Sequence, residues 1–350
     1  MPLQFKTLTK SLSVCIISIA LVACDTKIST FLKDNWEEDP VVCDEDVTDV
    51  DFKQIAYLSD LDEDIIDEID FSMLTHIIYE KIAVSSDGTL TISDDLEDEL
   101  NYLIDAVVDS GEGTLILFSI GNDSDSAFVS IANSSTALDT LNEQIEDLFD
   151  DYAIDGIDIY WQFPSEDDED DFETLIESVE DTVHDEDMLL SFAVDSGDDL
   201  DHVSDDAVDY ADFIHILTVE EASNDEDDNI EDAEESVTYW TDERCVVKNK
   251  LVIAIPSQGI STGGLTKSFA DIFDHNYTDV CLDKTSSRTY YYYNGIPTVT
   301  DKTEYAESDA GGVVLMSLEN DIFDSAYIDD YSLLSTINSQ VQGTPNTICD

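Results

Sequence analysis

Eight short apolar runs, separated by longer amphipathic stretches, set the narrowest limit on how this chain can fold. The runs occupy residues 54–58, 76–84, 114–120, 154–161, 188–194, 213–219, 251–255 and 312–317. Between them, segments such as 94–108, 137–152, 170–183 and 267–275 carry apolar residues at helical spacing. A strand covered on both faces reads as an almost unbroken apolar run, and 115–120 (LILFSI) and 251–255 (LVIAI) read that way. Strands of this kind alternating with helices predict an α/β fold, a (β/α)8 TIM barrel over residues 51–343 with a short tail at 344–350. A doubly wound open sheet satisfies the same count.

The N-terminal segment carries an address. Lys6 and Lys10 precede an apolar stretch at 12–23 (LSVCIISIALVA) that is short for a membrane span. It ends in Leu21-Val22-Ala23-Cys24, which resembles a bacterial lipobox, the signal cut before a cysteine that then receives lipid. We expect 1–23 to be a lipoprotein signal peptide, Cys24 the lipidated residue and 24–50 an acidic tether. The protein would then be exported and lipid-anchored to the bacterial membrane, on its periplasmic or extracellular face. Cys43, Cys245, Cys281 and Cys349 remain for an oxidising compartment. The ends of a compact domain usually lie close together, so Cys43–Cys349 and Cys245–Cys281 are the expected bridges.

Charge narrows the partners. The chain holds 84 Asp+Glu against 13 Lys+Arg, a formal net charge of −71. Such a chain cannot neutralise phosphates, which excludes nucleic acid as a ligand, and it lacks a basic patch for anionic lipid. Disorder is excluded by a 42% hydrophobic content and by acids spread along the whole length. The reading is a folded protein with an acidic skin, suited to high salt, where ionic screening removes self-repulsion. Residues 225–229 (DEDDN) lack the turn glycine of an EF-hand loop. Neither a zinc cluster nor a phosphate-binding glycine loop is visible, so no metal and no cofactor is expected.

The densest chemistry lies at 155–162, Asp-Gly-Ile-Asp-Ile-Tyr-Trp-Gln. Positions 158, 160 and 162 alternate along one strand and point to one side, which in a barrel is the interior near the C-terminal mouth. Trp161 points the other way, into packing behind the strand. Without further context these residues read equally well as a strand end whose carboxylates cap backbone groups.

This stretch resembles DGxDxDxE, the signature of family 18 glycoside hydrolases, the chitinases and chitinase-like proteins. Other fragments follow in the family's order: 74–79 (LTHIIY) with 87–90 (DGTL), 119–122 (SIGN), 189–194 (LLSFAV), 212–218 (DFIHILT), 250–259 (KLVIAIPSQG) and 311–321 (GGVVLMSLEND). In that family the motif's Glu protonates the glycosidic oxygen, and the Asp two residues earlier orients the substrate's N-acetyl group, whose carbonyl attacks the anomeric carbon. This route differs from the usual pair of catalytic carboxylates. Here Gln162 stands at the Glu position and Tyr160 at the Asp position. An amide has no acidic proton to give near neutral pH. Loss of general-acid assistance alone costs about 10²–10⁴ in rate.

Further departures fall at the same subsite. The family's sixth-strand Met-x-Tyr-Asp corresponds to Leu217-Thr218-Val219-Glu220, its eighth-strand Trp to Met316, its seventh-strand Tyr to Gln258 and a second-strand Phe to Lys81. Asp155 and Asp158 keep the motif's first two acids. The resemblance therefore implies a chitinase-like envelope lipoprotein without hydrolysis, binding an N-acetylglucosamine-containing glycan or an envelope protein partner. Tyr57, Tyr160, Gln162, Gln258 and Met316 are its candidate contact residues. One rival is an active hydrolase of β-1,4-linked N-acetylglucosamine polymers with a displaced acid, Glu220, Glu80 or Glu166. Another is a scaffold that binds no glycan. The run Tyr290–Tyr293 offers rings for sugar stacking or, equally, a strand with alternate rings turned inward.

Overall fold

A computed structural model describes residues 43, 51–122, 126–161, 164–196, 202–218, 228–273, 279–286 and 289–349. The signal segment, Cys24, Gln162, Val219 and Glu220 lie outside the described residues. Twelve strands are named in chain order: β1 (Lys53–Leu58), β2 (His76–Val84), β3 (Leu90–Thr91), β4 (Leu115–Gly121), β5 (Gly156–Tyr160), β6 (Leu189–Asp195), β7 (Phe213–Leu217), β8 (Leu251–Pro256), β9 (Gln258–Ser261), β10 (Thr266–Ser268), β11 (Tyr291–Tyr292) and β12 (Gly312–Met316). Eight of them pair in parallel in the order β1-β12-β8-β7-β6-β5-β4-β2, and β1 pairs with β2 to close the ring. The closed parallel barrel is the predicted (β/α)8 fold, and closure excludes the open sheet.

The helices follow from the periodic segments: α1 (Asp94–Ser110), α2 (Ser126–Ala132), α3 (Ser135–Asp151), α4 (Glu169–Asp185), α5 (Asp205–Tyr210), α6 (Asp228–Thr238), α7 (Phe269–Phe273), α8 (Ile296–Asp309) and α9 (Leu333–Val341). Serine hydroxyls fix several starts. Ser93 caps α1 by accepting from the Leu96 N–H, Ser134 caps α3 and Ser204 caps α5. Gly111 ends α1 at φ 71°, the left-handed conformation that glycine adopts without steric cost. Acids in the first turns, such as Asp94 and Asp95 of α1 or Glu169 and Asp170 of α4, also complement the helix dipole.

Alternation along the strands divides the apolar residues into two layers. Ile55, Ile78, Leu117, Phe213, Val252 and Val314 meet inside the barrel, while their strand neighbours Ala56, Ile77, Phe118, Ile214, Ile253 and Val313 pack outward under the helices. Trp161 is 1% exposed, stacked on Phe128 at 5.3 Å behind β5, so it does pack away from the interior.

Three expectations are corrected. The bridges are Cys43–Cys245 and Cys281–Cys349. Cys43 is held close to the start of β8. The C-terminal residues instead double back along α9, with Thr344 N–H on the Ser339 carbonyl and Asn346 Nδ2 donating to the Asp330 carbonyl and to Thr336 Oγ1. That return carries Cys349 to the mouth end, opposite the end that holds Cys43, and fastens residues 344–349 against α9. Next, the helical pattern at 267–275 is divided. Residues 266–268 form β10 against β9, and α7 begins only at Phe269. Backbone pairing there overrides a short periodic pattern. The third correction concerns Tyr57 and belongs to the site.

Candidate functional site

The interior face of β4–β7 carries a sealed polar layer. Asp158 on β5 lies in register with Ser119 on β4 and Ser191 on β6. Both hydroxyls donate to its carboxylate, Ser119 Oγ at 2.7 Å to one oxygen and Ser191 Oγ at 2.8 Å to the other. His215 of β7 places Nε2 3.6 Å from the same carboxylate, and the Tyr57 ring meets the His215 imidazole edge-on at 5.3 Å. All five side chains are wholly buried. Burial first, then the Asp158 charge, push the Tyr57 phenol well above its ordinary pKa. Tyr57 was expected to contact ligand. It packs beneath the site, because its position on β1 points into the filled interior rather than the mouth.

Asp155 serves the other end of the strand. Its carboxylate accepts the Ile116 N–H at 2.8 Å and so staples β5 to β4 near their starts. Asp212 does the same for the Leu190 N–H at 2.8 Å, and His184 of α4 bridges Asp212 and Glu180. Burial lowers the His184 pKa, but the hydrogen bonds and charges of the two carboxylates outweigh it and leave the pKa raised.

One residue pair above Asp158, the mouth begins. Tyr160 ends β5 in register with Gly121. The Lys81 ammonium sits over the Tyr160 ring, 5.1 Å from its centroid. Gly121 makes room for this pair, since a Cβ there would stand 2.9 Å from Lys81 Cδ and 3.1 Å from Tyr160 Cβ. The Glu80–Lys81 peptide is cis, at the point where the β2–β4 register shifts. Burial raises the Glu80 pKa; Lys81 opposes this, while Asp158 and Glu319 add to it. Burial together with the charges of Glu80 and Asp158 pushes the Tyr160 phenol up to about 12. Glu319, beyond β12, accepts from Ser59 Oγ at 2.6 Å.

The remaining candidates divide. Met316 ends β12 and packs against the interior cluster. Gln258 opens β9, half-buried and paired with Ser268. Glu166 is exposed in the turn before α4. Thr218 is buried, donating to the Ala254 carbonyl and receiving the Lys302 ammonium at 3.0 Å. In the tyrosine run, Tyr293 is buried with its hydroxyl on the Asp279 carbonyl, and Tyr290 is exposed beside Lys284. The alternate-ring reading therefore describes the run's two ends. Ser191, His215 and Glu319 were missed. The first two carried a signal, a single polar residue inside an otherwise apolar strand, which in a barrel marks the interior layer.

Comparison with known proteins adds the following. Residues 53–321 match the family described as Glycosyl hydrolases family 18. The fold is similar to that of the family 18 chitinase from the chitin utilization locus of Flavobacterium johnsoniae, with TM-score 0.71 and 21% identity over 83% of this chain and 94% of that one. A chitinase from Bacteroides thetaiotaomicron gives 0.70 and 24% over 83% and 96%. A chitinase-like agglutinin from Robinia pseudoacacia gives 0.69 and 19% over 83% and 99%. No curated protein sequence matches the chain.

Proposed function

The chain belongs to glycosyl hydrolase family 18, and from that premise we propose that it is a chitinase-like lipoprotein of the cell envelope that binds a glycan containing N-acetylglucosamine without cleaving it. The observation that carries this reading is position 160. A family hydrolase needs a carboxylate there to orient the N-acetyl group. This chain has a phenol pushed up to about 12, covered by the Lys81 ammonium. At neutral pH that phenol is uncharged, so it can donate one hydrogen bond but cannot supply the negative charge that supports the attacking amide. Gln162, at the acid position, has no proton to transfer to a leaving sugar oxygen. Half-buried Tyr160, Met316 and Gln258 leave ring, thioether and amide groups at the mouth, a surface fit for holding a sugar.

The test is one titration. The chain from Cys24 onward, in high salt, is mixed with β-1,4-linked N-acetylglucosamine oligomers, and heat of binding and released product are followed together. Binding without product is expected. Turnover by the unmodified protein overturns the non-catalytic reading. Neither binding nor turnover replaces the glycan with a protein partner, the barrel acting as a scaffold.

A second reading has one observation in its favour. Of the three candidate displaced acids, Glu166 is exposed in a turn and Glu220 lies outside the described residues, whereas Glu80 stands at the mouth with a raised pKa. A carboxyl whose pKa burial raises is better suited to proton donation than an ordinary exposed one. If turnover is seen and Glu80→Gln abolishes it, this reading replaces the first.

A further inference from the structure

Acids occupy 84 of 350 positions, about one in four, so a surface without them calls for a reason. Beyond the signal segment, the three longest runs of chain that hold no acid are 244–270, 331–349 and 284–300. They are remote in sequence, yet the fold brings part of each to one face. The first supplies β9 and β10, which join β11 in a small antiparallel sheet of order β10-β9-β11. The third supplies β11 and a hairpin beside it, in which Lys284 pairs with Tyr292 and the Thr285 N–H donates to the Tyr291 carbonyl. The second arrives through the Cys281–Cys349 bridge, which draws Ile348 into the neighbourhood of Leu282.

Strand pairing decides which of these side chains look outward. Residues opposite one another in antiparallel strands share a face. Tyr291 lies opposite Ser261, and this pair turns inward, with Ser261 buried and Tyr291 packed against the core. Lys284, Tyr292, Ile260 and Thr266 therefore make an outward row, and Gln258 with Ser268 belongs to the next. Tyr290 shares the side of Tyr292, and the Lys284 ammonium sits 5.0 Å from the Tyr290 ring centroid and 5.7 Å from that of Tyr292. Neither row holds a carboxylate. Asp283 turns the other way, its oxygens accepting from the Gly295 N–H at 2.7 Å and the Thr298 hydroxyl at 2.6 Å. Five large hydrophobic side chains stand exposed among the described residues, and four of them, Leu265, Leu282, Tyr290 and Ile348, lie on or around this sheet.

We propose that this face is where two copies of the chain pair about a two-fold axis. A carboxylate dried between two proteins costs free energy, so a face that is covered does without the acids that hydrate the rest of the skin. Tyrosine enrichment with depletion of charge is also the composition of an interface core. Charge selects a second copy as the occupant. Two such acidic chains that met skin to skin would oppose carboxylate to carboxylate, whereas here neither brings one. A two-fold contact must complement itself. This face does, because it carries an ammonium and tyrosine rings, the two halves of a cation–ring contact, among apolar side chains that match their own kind. The pairing holds whether or not the mouth binds a glycan.

The test is sedimentation equilibrium of the chain from Cys24 onward, in molar NaCl, with Cys24→Ser to prevent an adventitious disulfide. A monomer–dimer equilibrium half complete on the order of 10 µM is expected, the weak range for a small interface. Tyr290→Glu and Leu282→Glu each set a carboxylate on an exposed position of the face, and each should weaken pairing at least ~10-fold. Val108→Glu, on α1 away from the sheet, should leave it unchanged, and thermal unfolding confirms that all three variants keep the fold. Lower salt should also weaken the dimer, because the surrounding acids are then unscreened. A monomer at every concentration overturns the proposal; if Tyr290→Glu then weakens binding of N-acetylglucosamine oligomers, the face serves the glycan instead. A dimer indifferent to both face substitutions has its contact elsewhere. One that tightens as salt falls joins lysine to acidic skin head to tail, and the two-fold contact is wrong.

Discussion

Asp158 and Tyr160 are two residues apart on one strand, point to the same side, and belong to different regimes. Asp158 is sealed in the interior with both oxygens engaged by serine hydroxyls on the neighbouring strands. Tyr160 is half-buried at the rim, held by a cation–ring contact with Lys81 and a glycine. The interior layer retains the family's acid because removal would strand several buried partners. On the proposed reading, the rim no longer answers to the charge that hydrolysis requires, and Tyr160 answers to packing and to glycan contact. Asp158 reports on folding, and Tyr160 is where that reading is tested.

The sharpest way to break this contrast is Asp158→Ala. Two buried hydroxyls would lose their acceptor, and destabilisation of about 2–5 kcal/mol is expected from denaturant unfolding in high salt. A loss below that of a surface substitution would remove the structural account of Asp158. Next in size is a gain of activity. Tyr160→Asp with Gln162→Glu supplies the missing carboxylates, and product release from N-acetylglucosamine oligomers should rise roughly 10²-fold above background, the lower range for general-acid assistance. No gain would mean that Lys81, Val219 and Met316 silence the mouth by themselves.

Salt acts on the whole skin rather than on either region. With 84 acids unscreened, melting temperature should climb as NaCl goes from low to molar concentration, and it should climb equally in Tyr160→Phe. Acidity offers a finer test. The folded His184 pKa is raised above its unfolded value, so its contribution is fully present below about 6.5 and is lost as pH rises through the folded value. The denaturation midpoint of the wild type should therefore fall relative to His184→Gln between mildly acidic and mildly alkaline buffer. An unchanged difference between the two proteins across that range would remove His184 as the sensitive group. Smallest of all is Lys81→Met, which removes one partly exposed cation–ring contact worth about 0.5–1 kcal/mol by double-mutant cycle with Tyr160→Leu.

The strands were legible because a barrel strand is covered on both faces and its sequence is apolar at almost every position, whatever its neighbours. The inward set of 158 and 160 was legible for an equally local reason, the period of two. The helix expected over 267–275 starts late, at Phe269, because β9 lies beside residues 267 and 268, and a nine-residue pattern cannot announce a partner strand. Tyr57 failed because sequence gives the side of a strand and not the depth along the barrel axis. The Lys81–Tyr160 contact was invisible, as each residue looked like a separate loss until β2 and β5 were brought to opposite sides of Gly121.

By itself the sequence determined the fold class, the resemblance, the acidic surface and the substitutions at 160 and 162, since each is a matter of residue type and local period. Only the tertiary structure decided the disulfide pairing, the sealed partners of Asp158 and the contact of Lys81 with Tyr160. Those depend on which remote residues become neighbours when the ring closes. A 202-residue separation between Cys43 and Cys245 has no local signature.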